Sequence, residues 1–245
     1  MTSDSGISGD IKDYPFLTKE EFAEACHHLD RRYTQATLGP VRRLWRLSTC
    51  TALDTTFVFD DAAYTTYVQI TRPLEEQPDL DLSADLGSFS FASETDQADQ
   101  MVMGDQDMVE AEDMDEAALV KKPRQVHTSG HVTYEIHLHP TYRAPCLWFS
   151  LHGLPVDEVA FSIDTVYRRL VPDQFKDVLR SAGGIGGISA DHHPVTGVPC
   201  FFVHPCVLGE AMQSFRCTRE NYLMIWLGFV GPTVGLWVPK EMAIG

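Results

Sequence analysis

The sequence predicts an α+β fold in which an antiparallel sheet is flanked by helices. A capped amphipathic helix opens the chain, strand-like segments follow it, and further short helical segments occupy the C-terminal third. Hydrophobic residues make up 44% of the 245 residues, which is enough for a substantial core. We therefore expect residues 1–245 to form a single domain.

The N-terminal helix is predicted by a capping box, because Thr18 is followed three residues later by Glu21. The pair Gly39-Pro40 predicts where the helix ends. Between them, apolar side chains recur at helical spacing, at Phe22, Cys26, Leu29 and Tyr33.

Five strand-like segments come before residue 152, each rich in β-branched or aromatic residues or alternating in polarity. The last two enclose Tyr142-Arg143-Ala144, which predicts an antiparallel hairpin in a sheet with meander-like order. The five segments span residues 44–51, 57–59, 64–71, 131–139 and 145–151.

The C-terminal part predicts short helices over 164–170 and 172–180, an apolar segment over 198–204 and a buried helix over 219–229. A glycine-rich stretch over 183–187 predicts a flexible loop. The long apolar run 222–238 is interrupted by glycines and a proline, so we expect a buried helix and a turn instead of a membrane anchor.

The negative charge of the chain, −16 overall, is concentrated in one segment. Residues 74–119 contain fifteen Asp or Glu and no Lys or Arg, whereas the rest holds twenty acidic and nineteen basic residues. Charge repulsion and the scarcity of apolar residues predict a long disordered acidic insertion within the domain. Two roles stay open for the insertion. It is either a solvated loop without a partner or a segment that docks on another protein through Phe89, Phe91 and nearby methionines.

Composition also excludes several classes of function. The chain lacks a basic footprint, which argues against nucleic acid and an anionic membrane as main partners, and the interrupted apolar run 222–238 argues against stable membrane insertion. Its polar N-terminus has no basic start followed by an apolar stretch, so no secretory signal is expected. The six cysteines form no C-x-x-C pair, which predicts reduced thiols in a cytoplasmic protein.

The strongest candidate for chemistry is Cys206. The apolar run 201–203 ends at His204 and Pro205, and the cysteine follows at once. Proline fixes its own φ angle and favours extended backbone in the residue before it, so the sulfur lies at a defined point where the chain leaves the core. A thiol so placed suits attack on an acyl group to form a thioester. A buried cysteine with only a packing role is the alternative.

The other cysteines and the histidines carry weaker signals. Cys146 and Cys200 lie in apolar patterns, which predict packing roles. His131, His137 and His139 share one face of a predicted strand, which we expect to be solvated polar surface. No spacing among the histidines demands a metal site, so neither a metal nor a cofactor is predicted.

Several motifs in the second half of the chain resemble a known family. His204-Pro205-Cys206 lies about fifteen residues before Asn221-Tyr222 and the run W-L-G-F-V-G-P-T-V-G-L over 226–236. Upstream, H-P-V-T-G-V-P over 193–199 and Y-R-A-P-C-L-W-F over 142–149 come in the same order. Over roughly residues 130–240 these motifs resemble the E2-like conjugating enzymes of autophagy, in particular the autophagy-related protein ten family.

The resemblance implies an E2-like core and a transferase activity. Such enzymes accept the ubiquitin-like autophagy-related protein twelve from the E1-like autophagy-related protein seven, as a thioester on the cysteine that corresponds to Cys206. They then transfer it to a lysine of autophagy-related protein five without a separate ligase. The resemblance also implies a cytoplasmic protein that is recruited to the pre-autophagosomal structure.

One departure from ordinary ubiquitin-conjugating enzymes concerns the tetrahedral intermediate. Those enzymes place an asparagine after His-Pro to steady the oxyanion, whereas here Cys206 itself follows His-Pro. Another group must therefore stabilise the oxyanion. His204 is the nearest candidate for this assisting role, ahead of Tyr134 and Tyr142, and a purely structural hydrogen bond is its alternative role.

Three other interpretations stay open. The sister enzyme, autophagy-related protein three, also carries His-Pro-Cys but loads a different modifier onto phosphatidylethanolamine, and it usually begins with a membrane-sensing amphipathic helix. A catalytically silent E2-like binding module would keep its partners without using Cys206. A cysteine hydrolase would need a base histidine oriented by a third group, and no such pairing is legible in the sequence.

Overall fold

The computed structural model describes residues 11–53, 64–74, 130–181 and 187–243. In these residues a six-stranded antiparallel sheet is flanked by helices, so the predicted α+β class is confirmed. The strands are β1 (Arg46–Leu53), β2 (Tyr64–Pro73), β3 (His131–His139), β4 (Ala144–His152), β5 (Ile188–His192) and β6 (Pro199–Val203). The helices are α1 (Lys19–Gln35), α2 (Val41–Leu44), α3 (Ile163–Arg169), α4 (Asp173–Ser181), α5 (Leu208–Gln213) and α6 (Tyr222–Val230), with 3₁₀ turns at Pro205–Val207, Gly231–Val234 and Lys240–Met242.

The strand order differs from the predicted meander at one end of the sheet. The order is β1-β2-β3-β4-β6-β5, so the first four strands follow the order of the chain, but β6 lies between β4 and β5. The sequence does not predict β5, because Ile188 is its only buried residue and the strand shows no alternation. As an edge strand it pairs on one side only, with β6.

Helix α1 forms as its sequence predicts. The Glu21 N–H donates to Thr18 Oγ1 at 3.2 Å, and the Thr18 N–H donates to Glu21 Oε2 at 3.0 Å, which completes the capping box. The helix ends at Gln35, earlier than the Gly39-Pro40 signal. Arg42 explains the earlier end, since its guanidinium donates to main-chain carbonyls at the end of α1, including that of Tyr33 at 2.8 Å.

The core lies between one face of the sheet and helices α1 and α6. Helix α6 begins at Tyr222 and is buried on most of its surface. It gives way to a 3₁₀ turn that ends at Gly235, where φ is 69°. A Cβ atom there would lie 2.6 Å from the Leu170 carbonyl oxygen, so only glycine fits. None of the helices in the described ranges is long and apolar enough to cross a membrane.

The described residues on the two sides of the acidic segment lie side by side. Strands β2 and β3 are neighbours in the sheet, with Pro73 opposite His131. Beyond this pair, the Leu74 N–H donates to the Gly130 carbonyl oxygen at 2.7 Å. The chain therefore leaves and re-enters the sheet at adjacent points. Apart from Leu74, the predicted insertion 74–119 lies outside the described residues, as does the predicted strand 57–59.

Candidate active site

Cys206 lies in the 3₁₀ turn Pro205–Val207, which is separated from the end of β6 at Val203 by one residue, His204. Its side chain is half-buried, whereas Cys26, Cys146 and Cys200 are buried in the core or under the sheet. Burial raises the pKa of the Cys200 thiol to about 11 and that of Cys146 further, which makes both poor nucleophiles. Among the described cysteines, Cys206 thus combines access to solvent with the position that the sequence predicts.

His204 is held by one hydrogen bond from its main chain and one to its ring. Its main-chain N–H donates to the Gly187 carbonyl oxygen at 3.1 Å. Its ring atom Nδ1 accepts the N–H of Cys206 at 3.2 Å. A ring nitrogen that accepts a main-chain N–H carries no proton, so the neutral imidazole holds its proton on Nε2. His204 therefore offers an N–H donor two residues from the Cys206 thiol.

The turn between β3 and β4 brings two further rings to His204. The ring of Tyr142 lies edge-on to that of His204, with centroids 5.5 Å apart, and 4.7 Å from the ring of His139. Nδ1 of His139 accepts the N–H groups of Thr141 and Tyr142, each at 3.3 Å, which fixes the turn. Burial lowers the pKa of His139. Tyr142 is the tyrosine that the structure places beside His204.

The structure removes Tyr134 from the candidates for catalysis. Its side chain is fully buried on the core face of β3, and its hydroxyl donates to the Val234 carbonyl oxygen at 2.8 Å. Burial raises its pKa to about 12. The alternation of β3 places Tyr134 with Val132 and Ile136 on the core face, so the sequence already carried this signal.

The opposite face of β3 is exposed at His131, as expected, but it is not solvated surface throughout. His137 is only 5% exposed. Its Nε2 lies 2.8 Å from Glu135 Oε2, and His193 Nε2 lies 2.7 Å from the same oxygen. Gln69 donates to the other carboxylate oxygen at 2.9 Å. The expectation fails because the β5–β6 turn folds back over the sheet and covers this face with His193.

These three side chains are also the described residues that could hold a metal ion, because the ligand atoms of Glu135, His137 and His193 lie within 4.8 Å of one another. The sequence did not predict this grouping. However, Nδ1 of His193 accepts the N–H groups of Val195 and Thr196, at 3.2 and 3.1 Å. Its proton is therefore on Nε2, the nitrogen that would have to be unprotonated to coordinate a metal ion at this position. The contacts of His137 and His193 with Glu135 are therefore hydrogen bonds to a carboxylate.

Comparison with known proteins assigns the family. The family model described as "Autophagocytosis associated protein, active-site domain" matches residues 21–241. The ubiquitin-like-conjugating enzyme ATG10 of Gibberella zeae is 59% identical over 235 residues, which cover 96% of this chain and 99% of that protein. The chain belongs to this family of E2-like conjugating enzymes of autophagy.

Two further ATG10 relatives match shorter parts of the chain. The human enzyme is 39% identical over 62 residues, 23% of this chain and 28% of that protein. The Arabidopsis thaliana enzyme is 26% identical over 140 residues, 54% of this chain and 60% of that protein. The predicted autophagy E2-like transferase is thereby confirmed at the level of the ATG10 family.

Proposed function

We propose that Cys206 is the nucleophile of this E2-like enzyme and carries a ubiquitin-like modifier as a thioester. The supporting observation is a half-exposed thiol held in a turn by the bond between its own N–H and His204. The thiolate attacks the carbonyl carbon of the modifier's thioester on the activating enzyme, and the thiolate of that enzyme leaves. A lysine amine of the acceptor then attacks the new thioester, the Cys206 thiolate leaves, and the ammonium loses its proton to water.

In both steps a negative charge develops on the carbonyl oxygen, and His204 is our candidate to stabilise it. Its Nε2–H is the free donor once Nδ1 has accepted the Cys206 N–H. Because the donor is neutral, this role requires no proton transfer. Tyr142 packs against the ring and restricts its orientation. His204 thus takes the part that the asparagine plays in ordinary ubiquitin-conjugating enzymes.

The specific partners follow from the family. We propose that the E1-like donor is autophagy-related protein seven, the modifier autophagy-related protein twelve, and the acceptor a lysine of autophagy-related protein five. The protein acts in the cytoplasm and is recruited to the pre-autophagosomal structure. We further propose that residues 1–245 form one conjugating domain with the acidic segment 74–119 inserted in it; the adjacency of Leu74 and Gly130 supports this arrangement.

The test is reconstitution with the activating enzyme, the modifier and ATP. Wild type should form an adduct that a reductant cleaves, and Cys206→Ser should form an oxyester that resists the reductant. Cys50→Ser is the matched control, because Cys50 is also half-buried, and it should charge like wild type. An adduct that survives in Cys206→Ala, or no adduct in wild type, would contradict the proposal. Transfer to phosphatidylethanolamine instead of a lysine would favour the sister enzyme.

A further inference from the structure

We propose that Glu135 is a positioning residue for the conjugation reaction. Its carboxylate anchors the β5–β6 hairpin, whose second strand runs directly into His204 and Cys206, to the face of the sheet opposite the core. This inference rests on the proposed role of Cys206 as the nucleophile. Glu135 does not touch the reacting atoms; it acts through His193 and the hairpin.

The anchor has the geometry of a complete hydrogen-bonding site. Glu135 Oε2 accepts hydrogen bonds from Nε2 of His193 at 2.7 Å and from Nε2 of His137 at 2.8 Å. Glu135 Oε1 accepts a hydrogen bond from the side-chain amide of Gln69 at 2.9 Å. The three donors come from the β5–β6 turn, β3 and β2. Burial alone would raise the pKa of Glu135, but the hydrogen bonds from His137, His193 and Gln69 outweigh it and hold that pKa well below the usual range. The group is a carboxylate at any pH at which the enzyme works.

His193 joins the turn to this carboxylate through the two nitrogens of one ring. Its Nδ1 accepts the N–H groups of Val195 and Thr196, which closes the tight turn that follows. Its Nε2 donates to Glu135. The ring is 89% covered, and the edge of Trp148 contributes to this cover, with centroids 6.1 Å apart. Water therefore has little access to replace the bond.

The main-chain pairing between the hairpin and the neighbouring strand β4 is short. Strand β6 pairs with β4 over three residue pairs, Leu147 to Phe149 opposite Phe201 to Val203. Strand β5 is the edge and pairs only with β6. The Glu135–His193 bond adds a side-chain attachment at the turn, and the opposite end of the hairpin carries the Gly187 carbonyl that binds the His204 N–H. A tilt of the hairpin at its turn therefore changes the position of His204 and Cys206.

The space beside the Glu135 carboxylate is too small for the surrounding side chains to rearrange. A cavity of about 20 Å³, lined in part by Glu135, Trp148, His193 and Cys200, lies next to the carboxylate. That volume holds about one water molecule. A shortened or neutral side chain at residue 135 would leave two imidazole N–H groups without their anionic acceptor, and a water molecule in this cavity would be only a neutral, weaker acceptor.

The experiment compares two anchor variants with a matched control. Glu135→Gln removes the anionic acceptor. His193→Asn keeps an oxygen that can accept the two turn N–H groups but is too short to reach Glu135. Glu158→Gln is the control, because Glu158 is also a well-covered carboxylate, bonded to Arg168 and Arg169, far along the chain from the hairpin. Each variant is charged on Cys206, and the thioester is then discharged to free lysine in a single turnover.

Both anchor variants should discharge at least fivefold more slowly at saturating lysine, with an unchanged lysine concentration for half-maximal rate. In both variants the main-chain amides between residues 199 and 204 should exchange hydrogen faster than in wild type, as measured by mass spectrometry. Glu158→Gln should lose stability but match wild type in discharge and in exchange over 199–204. If Glu135→Gln does not fold, His193→Asn decides alone.

The outcomes separate the two proposals. Wild type that forms no thioester on Cys206 overturns the proposed function. Wild type that charges normally, beside folded anchor variants that discharge and exchange like wild type, overturns the anchor alone. Binding of one Zn²⁺ per chain by wild type, lost in Glu135→Gln, would also overturn it, since the cluster would then be a metal site.

Discussion

The main-chain N–H of Cys206 donates to Nδ1 of His204 at 3.2 Å, so the proposed nucleophile fixes the tautomer of the histidine that precedes it by two residues. A histidine held in this way cannot use Nδ1 as a base. It presents Nε2–H as a donor, and it stabilises the turn that positions the sulfur. These two roles can be separated by substitution.

His204→Ala should lower the rate of transfer from Cys206 about 100-fold, because removing one oxyanion donor costs roughly that much. His204→Asn should stay within about tenfold of wild type, since its side-chain oxygen accepts an N–H two residues on and its amide nitrogen still donates. Single-turnover discharge of the preformed thioester measures both. Equal, small effects of the two changes would show that His204 has no part in the chemistry.

Tyr142→Ala should lower transfer roughly tenfold, because the ring restrains His204 and small displacements of a catalytic group are costly. Tyr142→Phe should retain most of the activity, since the contact that the structure shows is between the rings, with centroids 5.5 Å apart. The same discharge assay distinguishes them. A loss in Tyr142→Phe as large as in Tyr142→Ala would assign the hydroxyl, not the ring, to the mechanism.

Tyr134→Phe should lower the stability of the fold and leave transfer unchanged, in contrast to the substitutions of Tyr142. Its buried hydroxyl donates to the Val234 carbonyl oxygen at 2.8 Å, and loss of that donor leaves a buried acceptor unsatisfied. The free energy of unfolding should fall by about 1–3 kcal/mol. Transfer from Cys206 should be unchanged at temperatures where the variant is folded. Urea titration and thioester discharge together make the check.

Much of the fold and part of the site follow from local pattern. The capping box at Thr18 and the alternation of β3 are encoded within a few residues, and the proline before Cys206 predicts the exit from the core. The Glu135–His193 bond joins positions 58 residues apart, so no local pattern reveals it. It depends on the path of the β5–β6 turn, and that turn follows a strand that the sequence does not predict.

Two of the three glycines in the family motif W-L-G-F-V-G-P-T-V-G-L have opposite roles. Gly235 has φ of 69°, and an added Cβ would lie 2.6 Å from the Leu170 carbonyl oxygen. Gly235→Ala should therefore lower the free energy of unfolding by about 1–3 kcal/mol. Gly228, within α6, has open space at its Cβ position, so Gly228→Ala should raise it by about 0.5–1 kcal/mol. Equal effects in urea titration would contradict this assignment.

The stability of the fold should decrease as the pH falls below the ordinary histidine pKa of about 6.5. Burial lowers the pKa of His137 in the folded protein, so its stabilising contribution is complete above that ordinary pKa. As the pH falls, the unfolded chain binds the proton first, and the contribution is lost.

The groups around His137 are the carboxylate of Glu135, the ring of His193 and the stacked ring of Tyr67. Glu135 stays ionised in this window because its pKa lies well below the usual range. His137→Gln should therefore show a shallower fall in unfolding free energy between pH 7 and pH 5, measured in urea. An identical slope in wild type and variant would exclude His137 as the source. His139 and His152, whose pKa values burial also lowers, contribute to the slope that remains.

The adjacency of Leu74 and Gly130 predicts that residues 75–129 can be replaced by a two-residue turn. The hydrogen bond at 2.7 Å between these residues continues the antiparallel pairing of β2 and β3, so an Asn-Gly turn can join the strands directly. The shortened chain should fold and should unfold at the same or a higher temperature, because a long loop no longer has to be closed.

The rate at which this shortened chain is charged on Cys206 then decides between the two roles of the acidic segment. Equal charging means that the segment only solvates. A large fall means that it docks on a partner, and in that case charging of the full chain should weaken with added salt while charging of the shortened chain should not. Replacing Phe89 and Phe91 by alanine in the full chain provides the finer test: these changes leave all fifteen acidic side chains of the segment in place, so a fall in charging would assign the docking to the aromatic rings and not to the charge alone.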